Sequence, residues 1–171
     1  MKIKIGDIGP DGKRLVADVQ HDVWLAEALE RGLPDLYVHG EAARVAFEIF
    51  RIGETLQAQG AAALNIHPIC ARCAESFALP FEIPIKRVFL PKPTPLSTGG
   101  FKGEEELDTE DLDVSYYQGD ELEITPIVIE EILLALPLVF LCRPDCQGLC
   151  PKCGANLNAA PCRCFGGGST V

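Results

Sequence analysis

The chain has 171 residues, of which 25 are acidic and 15 are basic, giving a formal net charge of −10 at pH 7. A hydrophobic fraction of 47% excludes a wholly disordered chain, and the length predicts one domain, or one domain with a small appendage. The negative charge argues against a nucleic-acid-binding surface, which needs lysine and arginine. Ten acidic residues, however, lie between Glu104 and Glu123 with no basic residue among them, and the rest of the chain is neutral. The charge therefore does not exclude an RNA-linked role.

Two stretches of sequence bear on localisation. Residues Met1–Asp7 alternate between polar and apolar and lack the continuous apolar run of a secretory signal. The longest uncharged apolar run, Ile132–Cys142, is far shorter than the ~18 residues that a membrane span needs. We therefore expect a cytoplasmic chain with no membrane partner. In that reducing compartment, eight cysteines favour metal ligands or redox thiols over disulfides.

Residues 1–90 carry the patterns of short strands and one helix, and form the N-terminal part of the predicted fold. Apolar residues at helical spacing predict a short amphipathic helix over residues 23–30. Three segments with an apolar residue at every second position follow between residues 45 and 85, and they predict an antiparallel meander. Pro80 and Pro84 lack an amide hydrogen, so the third segment should lie at a sheet edge or carry a bulge.

The second half of the chain divides into three parts. Residues 91–119 are rich in proline, glycine and acidic side chains, and we expect a flexible insert, mobile over about residues 91–113. Residues 120–141 predict a strand and a helix with Thr125 as N-cap, apolar enough to be almost buried. Residues 142–171 form a cysteine-rich tail. The predicted fold class is α+β: an antiparallel meander or partly closed barrel on two short helices, with a tail that resembles a zinc knuckle.

Six cysteines occupy 23 residues of this tail: Cys142, Cys146, Cys150, Cys153, Cys162 and Cys164. Cys150-Pro-Lys-Cys153-Gly154 has the form of a zinc knuckle, in which two thiolates reach one ion and the glycine adopts a positive φ. The tail has few other apolar residues, which argues against a small core and favours a structural zinc site. The spacing leaves the four ligands open; we favour Cys146, Cys150 and Cys153 with either Cys162 or Cys164. No histidine follows His67, which argues against a catalytic zinc.

The pair Cys70-Ala-Arg-Cys73 allows three interpretations. It is a hairpin-turn pair with a structural or incidental role, a second knuckle that shares a metal with Cys150 and Cys153, or a redox dithiol. Joining the two knuckles costs ~2 kcal/mol of extra loop-closure entropy, against on the order of 10 kcal/mol from a structural zinc, so entropy does not exclude it. A redox dithiol is expected at a helix N-terminus, whereas strands flank this pair. A cytosolic thiol-redox protein that uses Cys70 and Cys73 is the alternative function, and no motif indicates a small-molecule substrate.

Several segments together resemble the YceD family, whose members are described as large-ribosomal-RNA-subunit accumulation proteins. They are Cys70–Cys73 after an alternating strand, the acidic middle, Glu131–Pro137, Leu141–Cys142 and Asp145–Asn158. The resemblance implies a cytosolic bacterial protein needed for the synthesis, processing or stability of large-subunit ribosomal RNA. It implies a non-enzymatic factor that binds ribosomal RNA or a ribosomal or RNA-processing protein, since the family offers no catalytic residue to carry over. Not every member keeps the C-terminal cysteines, which implies that the tail is a stabilising or accessory element.

Basic residues near the cysteines are the candidates for direct RNA contact. The first set is Arg143, Lys152 and Arg163, and the second set is Arg72, Lys86 and Arg87. Four thiolates around one Zn²⁺ leave two negative charges, which would cancel the surplus of the first set over Asp145. The acidic insert is either a solvated linker or a docking surface for a basic partner.

Overall fold

The computed structural model describes residues 1–92 and 114–164. The strands are β1 Lys2–Lys4, β2 Lys13–Asp18, β3 Ala43–Ile52, β4 Thr55–Ile66, β5 Leu79–Pro91, β6 Val114–Tyr117 and β7 Glu121–Glu123, and the helices are α1 Val23–Gly32 and α2 Ile124–Ala135. A 3₁₀ turn, Ile5–Asp7, follows β1. The predicted α+β class is confirmed. Within the described residues, no helix is both long and apolar enough to cross a membrane.

Five strands form one open sheet in the order β2–β3–β4–β5–β6. The first four are antiparallel neighbours, and the two-residue turn between Ile52 and Thr55 joins β3 to β4, so the predicted meander is confirmed. β6 adds to the sheet in parallel with β5, and β1 pairs with β7 in a separate two-stranded sheet. Over the described ranges the sheet does not close into a barrel, because the two helices cover its inner face and leave β2 and β6 as its edges.

The core lies between the inner face of this sheet and the two helices. Alternate residues of the three long strands are buried there, with Gly60 as an exposed exception in β4. The buried ones are Val45, Phe47 and Ile49 of β3, Leu56, Ala58, Ala62, Leu64 and Ile66 of β4, and Ile83, Ile85 and Phe89 of β5. α1 contributes Leu25 and Leu29 to the same cluster, and α2 contributes Val128 and Ile132. The period of two in the strands therefore predicted their buried faces correctly.

The start of α2 is fixed by the N-terminal strand. The backbone amide of Ile124 donates to the carbonyl oxygen of Met1 at 2.9 Å, and the hydroxyl of Thr125 accepts a hydrogen bond from the Met1 amino group. The helix is preceded by Glu123, so Thr125 lies inside the helix and the prediction that it is the N-cap is wrong. The physical reason is that the Thr125 hydroxyl accepts a hydrogen bond from the Met1 amino group instead of capping a backbone amide of the helix.

The last turn of α2 is more exposed than its composition predicted. One side of the helix is buried, through Ile124, Ile127, Val128 and Ile132. Leu133 and Leu134 are 47% and 76% exposed, so the expected near-complete burial is wrong for this turn. A sheet covers one side of a helix only, and among the described elements none covers the other side here.

Most of the predicted insert lies outside the described residues. The expected mobility over residues 91–113 concerns mainly residues 93–113 and stays a prediction. Pro91 is the last residue of β5, and Val114 begins β6, a strand that the sequence did not predict. Because β6 lies beside the end of β5, the chain leaves the sheet and returns to it at neighbouring positions.

The two prolines of β5 lie where the sheet has no further neighbour within the described residues. Pro80 and Pro84 stand opposite Asn65 and Ala61 of β4, whereas β6 pairs only with Val88–Pro91 of β5. The first half of β5 is therefore an edge in this part of the chain. The missing amide hydrogens cost no ladder hydrogen bond there, which confirms the prediction of an edge position.

Arg87 faces the core side of β5 and is 9% exposed. Its Nε and Nη2 atoms lie 2.7 and 2.6 Å from Oε1 of Glu131, and its Nη1 donates to Ser115 Oγ at 2.9 Å and lies 3.2 Å from Glu130 Oε2. The guanidinium thus ties β5 to α2 and β6. This corrects the inclusion of Arg87 among the RNA contacts, because a buried charge must keep its counter-charges.

We expect Glu131→Gln to lower the free energy of unfolding by about 3 kcal/mol, because it removes the main counter-charge of a buried guanidinium. Glu130→Gln is the matched control: the Glu130 side chain is 57% exposed, and the substitution should cost under ~1 kcal/mol. Urea unfolding of both variants measures the difference. Equal losses from the two variants would contradict the structural role given to Glu131.

Candidate metal centres

The eight cysteines assemble into two groups of four. The first cysteine group is Cys70, Cys73, Cys142 and Cys146, and the second cysteine group is Cys150, Cys153, Cys162 and Cys164. Within each group all four sulfur atoms lie within 4.8 Å of one another. Both groups consist of thiols alone, which is the ligand set of closed structural zinc sites.

The sulfur spacing of the first cysteine group fits a tetrahedral metal. Cys70 Sγ lies 3.7 Å from Cys146 Sγ, and Cys73 Sγ lies 3.7 Å from Cys142 Sγ. Four ligands at ~2.3 Å from one zinc ion stand ~3.8 Å apart at the corners of a tetrahedron. A disulfide would bring two sulfurs to ~2.05 Å. The donor set therefore could hold a metal ion, and its sulfurs are not joined in pairs.

The first cysteine group joins two distant parts of the chain. It brings the loop after β4 against the segment after α2, and the backbone continues the contact: Ala71 N donates to Phe140 O at 2.9 Å, and Leu149 N donates to Arg72 O at 3.0 Å. Gly148 is needed here, because a Cβ on it would lie 3.0 Å from Arg72 O at a φ of +74°.

This grouping differs from the ligand sets considered above. Cys70 and Cys73 meet Cys142 and Cys146, not the knuckle of Cys150 and Cys153. The favoured set of Cys146, Cys150 and Cys153 is divided between the two groups, and Cys162 and Cys164 both join the second.

The first knuckle runs from Ile69 to Ser76, which form an antiparallel bridge. Cys70 N donates to Glu75 O, and Ala74 N donates back to Cys70 O, both at 2.9 Å. Ala74 has a φ of 58°, which places it in the left-handed region that favours glycine. The turn agrees with the interpretation of Cys70 and Cys73 as a hairpin-turn pair.

The second knuckle repeats this backbone geometry between Leu149 and Asn156, which also form a bridge. Cys150 N donates to Ala155 O and Gly154 N donates to Cys150 O, both at 2.8 Å. Gly154 has a φ of 71°, so the positive φ predicted for it is confirmed. The two knuckles are therefore one local structure used twice.

Backbone amides favour the thiolate of the first cysteine in each knuckle. The amide of Cys142 is the main cause that lowers the pKa of the Cys70 thiol to about 6, and the amide of Cys153 is the main cause that lowers the pKa of Cys150 to about 7. Burial raises the pKa of Cys142 to about 12. Four adjacent thiols do not all ionise without a cation, and a divalent metal supplies that charge.

Asn158 supports the first cysteine group from outside. Its Nδ2 donates to Cys146 Sγ at 3.4 Å, and its Oδ1 accepts from Gln147 N at 2.8 Å and from Arg143 Nη2 at 2.6 Å. Such outer contacts fix the orientation of metal-binding side chains. No sequence motif indicates Asn158 as a site residue, and its place in the cysteine-rich tail is the available signal.

The two groups differ in exposure. In the first, Cys70, Cys73 and Cys146 are at most 3% exposed. In the second, Cys150 is buried, whereas Cys153 is exposed and the other two are half-buried. The first group is thus an internal junction between chain segments, and the second lies at the surface of the tail.

Four of the six candidate RNA contacts belong to the cysteine-rich segments. Arg72, Arg143, Lys152 and Arg163 are exposed, and Lys86 is exposed on the outer face of β5. Arg72 donates to the carbonyl oxygen of Cys146 at 3.0 Å. Lys152 donates to the carbonyl oxygen of Cys164 at 3.5 Å. These side chains therefore also hold the cysteine-rich segments in place.

A family model described as "Large ribosomal RNA subunit accumulation protein YceD" matches residues 58–167, a range that contains all eight cysteines. The chain is 35% identical over 88 residues to an uncharacterised Bacillus subtilis protein, YlbN, covering 51% of this chain and 44% of that protein. It is 38% identical over 53 residues to an uncharacterised protein of Mycobacterium tuberculosis, covering 31% of this chain and 26% of that one.

A plant protein is also similar. It is named "Large ribosomal RNA subunit accumulation protein YCED homolog 1, chloroplastic", from Arabidopsis thaliana, and is 26% identical over 145 residues, which cover 75% of this chain and 45% of that protein. The chain thus spans less than half the length of each of these three relatives. No solved structure shows a significant match.

The equivalence of the two knuckles predicts opposite effects of two substitutions. Ala74→Gly should raise the free energy of unfolding by about 0.5 kcal/mol, because relief of the left-handed strain exceeds the entropy that glycine adds to the unfolded chain. Gly154→Ala should lower it by about 1 kcal/mol, although nothing lies within 4 Å of the added Cβ.

Ala71→Gly is the matched control, since Ala71 lies in the same knuckle without a positive φ. It should destabilise the protein slightly. Chemical unfolding of the three variants gives the comparison, and the same sign for Ala71→Gly and Ala74→Gly would refute the assignment of strain to Ala74.

Proposed function

The chain belongs to the YceD family, and we propose that it acts as a non-enzymatic factor in the synthesis, processing or stability of large-subunit ribosomal RNA. It does so by binding that RNA, or a ribosomal or RNA-processing protein. We place this activity in the cytoplasm, although two plant relatives are named as chloroplastic. The observation that carries the proposal is the family match across residues 58–167.

The chemistry of the cysteine groups supports a structural role for them. Catalytic zinc sites keep an open position beside histidine or carboxylate ligands, whereas both groups here consist of four thiols. Closed sites of this kind stabilise a fold and supply no reactive water. A binding factor needs such a scaffold more than it needs a reactive centre.

A thiol-redox protein that uses Cys70 and Cys73 is less well supported. A reactive thiolate combines a lowered pKa with access to its substrate. The pKa of Cys70 is lowered to about 6, but Cys70 and Cys73 are only 1% and 2% exposed, and each faces a further thiol. A lowered pKa inside four thiols suits metal binding equally, so burial favours the structural interpretation.

Depletion of the protein in its source organism should lower the ratio of large-subunit to small-subunit ribosomal RNA. The reason is that a factor for large-subunit ribosomal RNA acts on that RNA alone, so its loss leaves the amount of small-subunit ribosomal RNA unchanged. Electrophoresis of total RNA and sucrose-gradient profiles of ribosomal subunits measure the ratio, and re-expression of the chain is the control. Unchanged profiles after depletion would count decisively against this function.

We further propose that the metal is zinc and that each cysteine group binds one ion for a structural purpose. The thiol-only ligand sets and the sulfur spacing near that of a tetrahedron support zinc over harder metals, which prefer oxygen ligands. Structural zinc contributes on the order of 10 kcal/mol to folding, enough to hold a tail with few apolar residues.

Metal analysis of paired variants tests this assignment. The purified chain should contain two zinc ions, and Cys70→Ser with Cys73→Ser should lose one and keep the other. Cys150→Ser with Cys153→Ser should also lose one, because the first cysteine group keeps all its ligands. The two double variants serve as controls for each other. Loss of all zinc from the Cys150/Cys153 variant would restore the single site first favoured from the spacing.

A further inference from the structure

An exposed apolar surface lies at the end of α2 and in the loop that follows it. Leu133, Leu134, Leu138 and Val139 are 47%, 76%, 103% and 60% exposed, and we call these four residues the apolar end of α2. They belong to a run, Ile132–Cys142, that contains no charged residue. Four exposed apolar residues within seven positions of the chain mark an interaction site more often than a single exposed leucine does.

The fold does not need these side chains at this place. The buried side of α2 already packs against the core through Val128 and Ile132. Polar residues at Leu134 and Val139 would leave those contacts intact. No described residue covers them, and their apolar character points to a contact that is made with another molecule.

The first cysteine group holds this surface in position. The loop that carries Leu138 and Val139 ends at Cys142, and Phe140 O accepts a hydrogen bond from Ala71 N at 2.9 Å. The loop is thus anchored on one side by α2 and on the other by a candidate metal ligand. A surface fixed at both ends loses little entropy when it binds.

We propose that the apolar end of α2 docks a basic protein of the large ribosomal subunit, and not its RNA. This inference rests on the proposed function and adds the class of partner and the contact surface. The partner presents an apolar side chain ringed by basic residues, an arrangement that follows the apolar centre and polar rim of protein interfaces.

Charge favours a protein over RNA at this surface. RNA binding requires cations to neutralise phosphates, and the run Ile132–Cys142 offers none. Glu130, one turn before Leu133 and Leu134, has a side chain that is 57% exposed, and its ion-pair partner Arg87 is itself buried, so the exposed group on the helix side of the rim is acidic. A thiolate-bound Zn²⁺ in the first cysteine group would add two negative charges beside this loop, which offset the exposed Arg72 and Arg143 and leave no surplus of cations for phosphates.

The test uses the full zinc-loaded chain, immobilised, and two separate probes. One probe is the RNA-free protein mixture extracted from purified large subunits of the source organism, and the other is protein-free large-subunit ribosomal RNA. The surface variant is Leu134→Glu with Val139→Glu. The matched control is Val16→Glu with Ile52→Glu, which adds the same charge at two other exposed apolar residues. Urea unfolding verifies that all three proteins are folded.

We expect the unaltered chain to retain one or a few basic proteins, with affinity at least tenfold weaker in the surface variant and changed less than twofold in the control. Removal of zinc from the first cysteine group, through Cys70→Ser with Cys73→Ser, should weaken retention as well.

Three results would overturn the inference. They are equal retention by the surface variant and the control, tighter retention of the RNA probe than of any protein, and a dimer of the chain that the surface variant alone dissolves. Each would leave the proposed function standing, because the depletion experiment tests that function independently.

Discussion

The structure depends on one long-range constraint, the meeting of Cys70 and Cys73 with Cys142 and Cys146. This contact fixes the segment after α2 against the loop after β4, and the second knuckle is then placed by the hydrogen bond from Leu149 N to Arg72 O. The described chain up to the end of α2 is mainly a sheet with two helices over one face. The C-terminal tail has few apolar residues of its own, so thiol chemistry takes the place that burial has in the sheet.

Local pattern was sufficient for the elements whose partners are close in sequence. The alternation in β3 and β4 and the turn between Ile52 and Thr55 gave the hairpin, and helical spacing gave α1. The sequence did not reveal β6, because four residues carry too little periodicity and its partner strand is reached across the insert. It also placed Arg87 at the surface, because a strand pattern does not show which charged residue has a counter-charge on a helix.

The cysteine groups illustrate a different limit. Spacing identified all eight cysteines as candidates, but eight thiols allow many sets of four, and loop-closure entropy separates those sets by only a few kcal/mol. The decisive features are three-dimensional: the backbone hydrogen bonds of the two knuckles and the path of α2, which delivers Cys142 to Cys73. Periodicity likewise gave α2 one apolar character throughout, and only the packing shows that its last turn faces outward.

The separation of the first cysteine group along the chain has a consequence during translation. Cys73 precedes Cys142 by 69 residues, and Cys70 precedes Cys146 by 76. At ~5–20 residues per second, the early pair waits for roughly 4–15 seconds before its partners are synthesised. The nascent chain therefore carries Cys70 and Cys73 without their two partner thiols through that interval. A disulfide formed between Cys70 and Cys73 in that interval would remove two of the four thiols that assemble the first cysteine group.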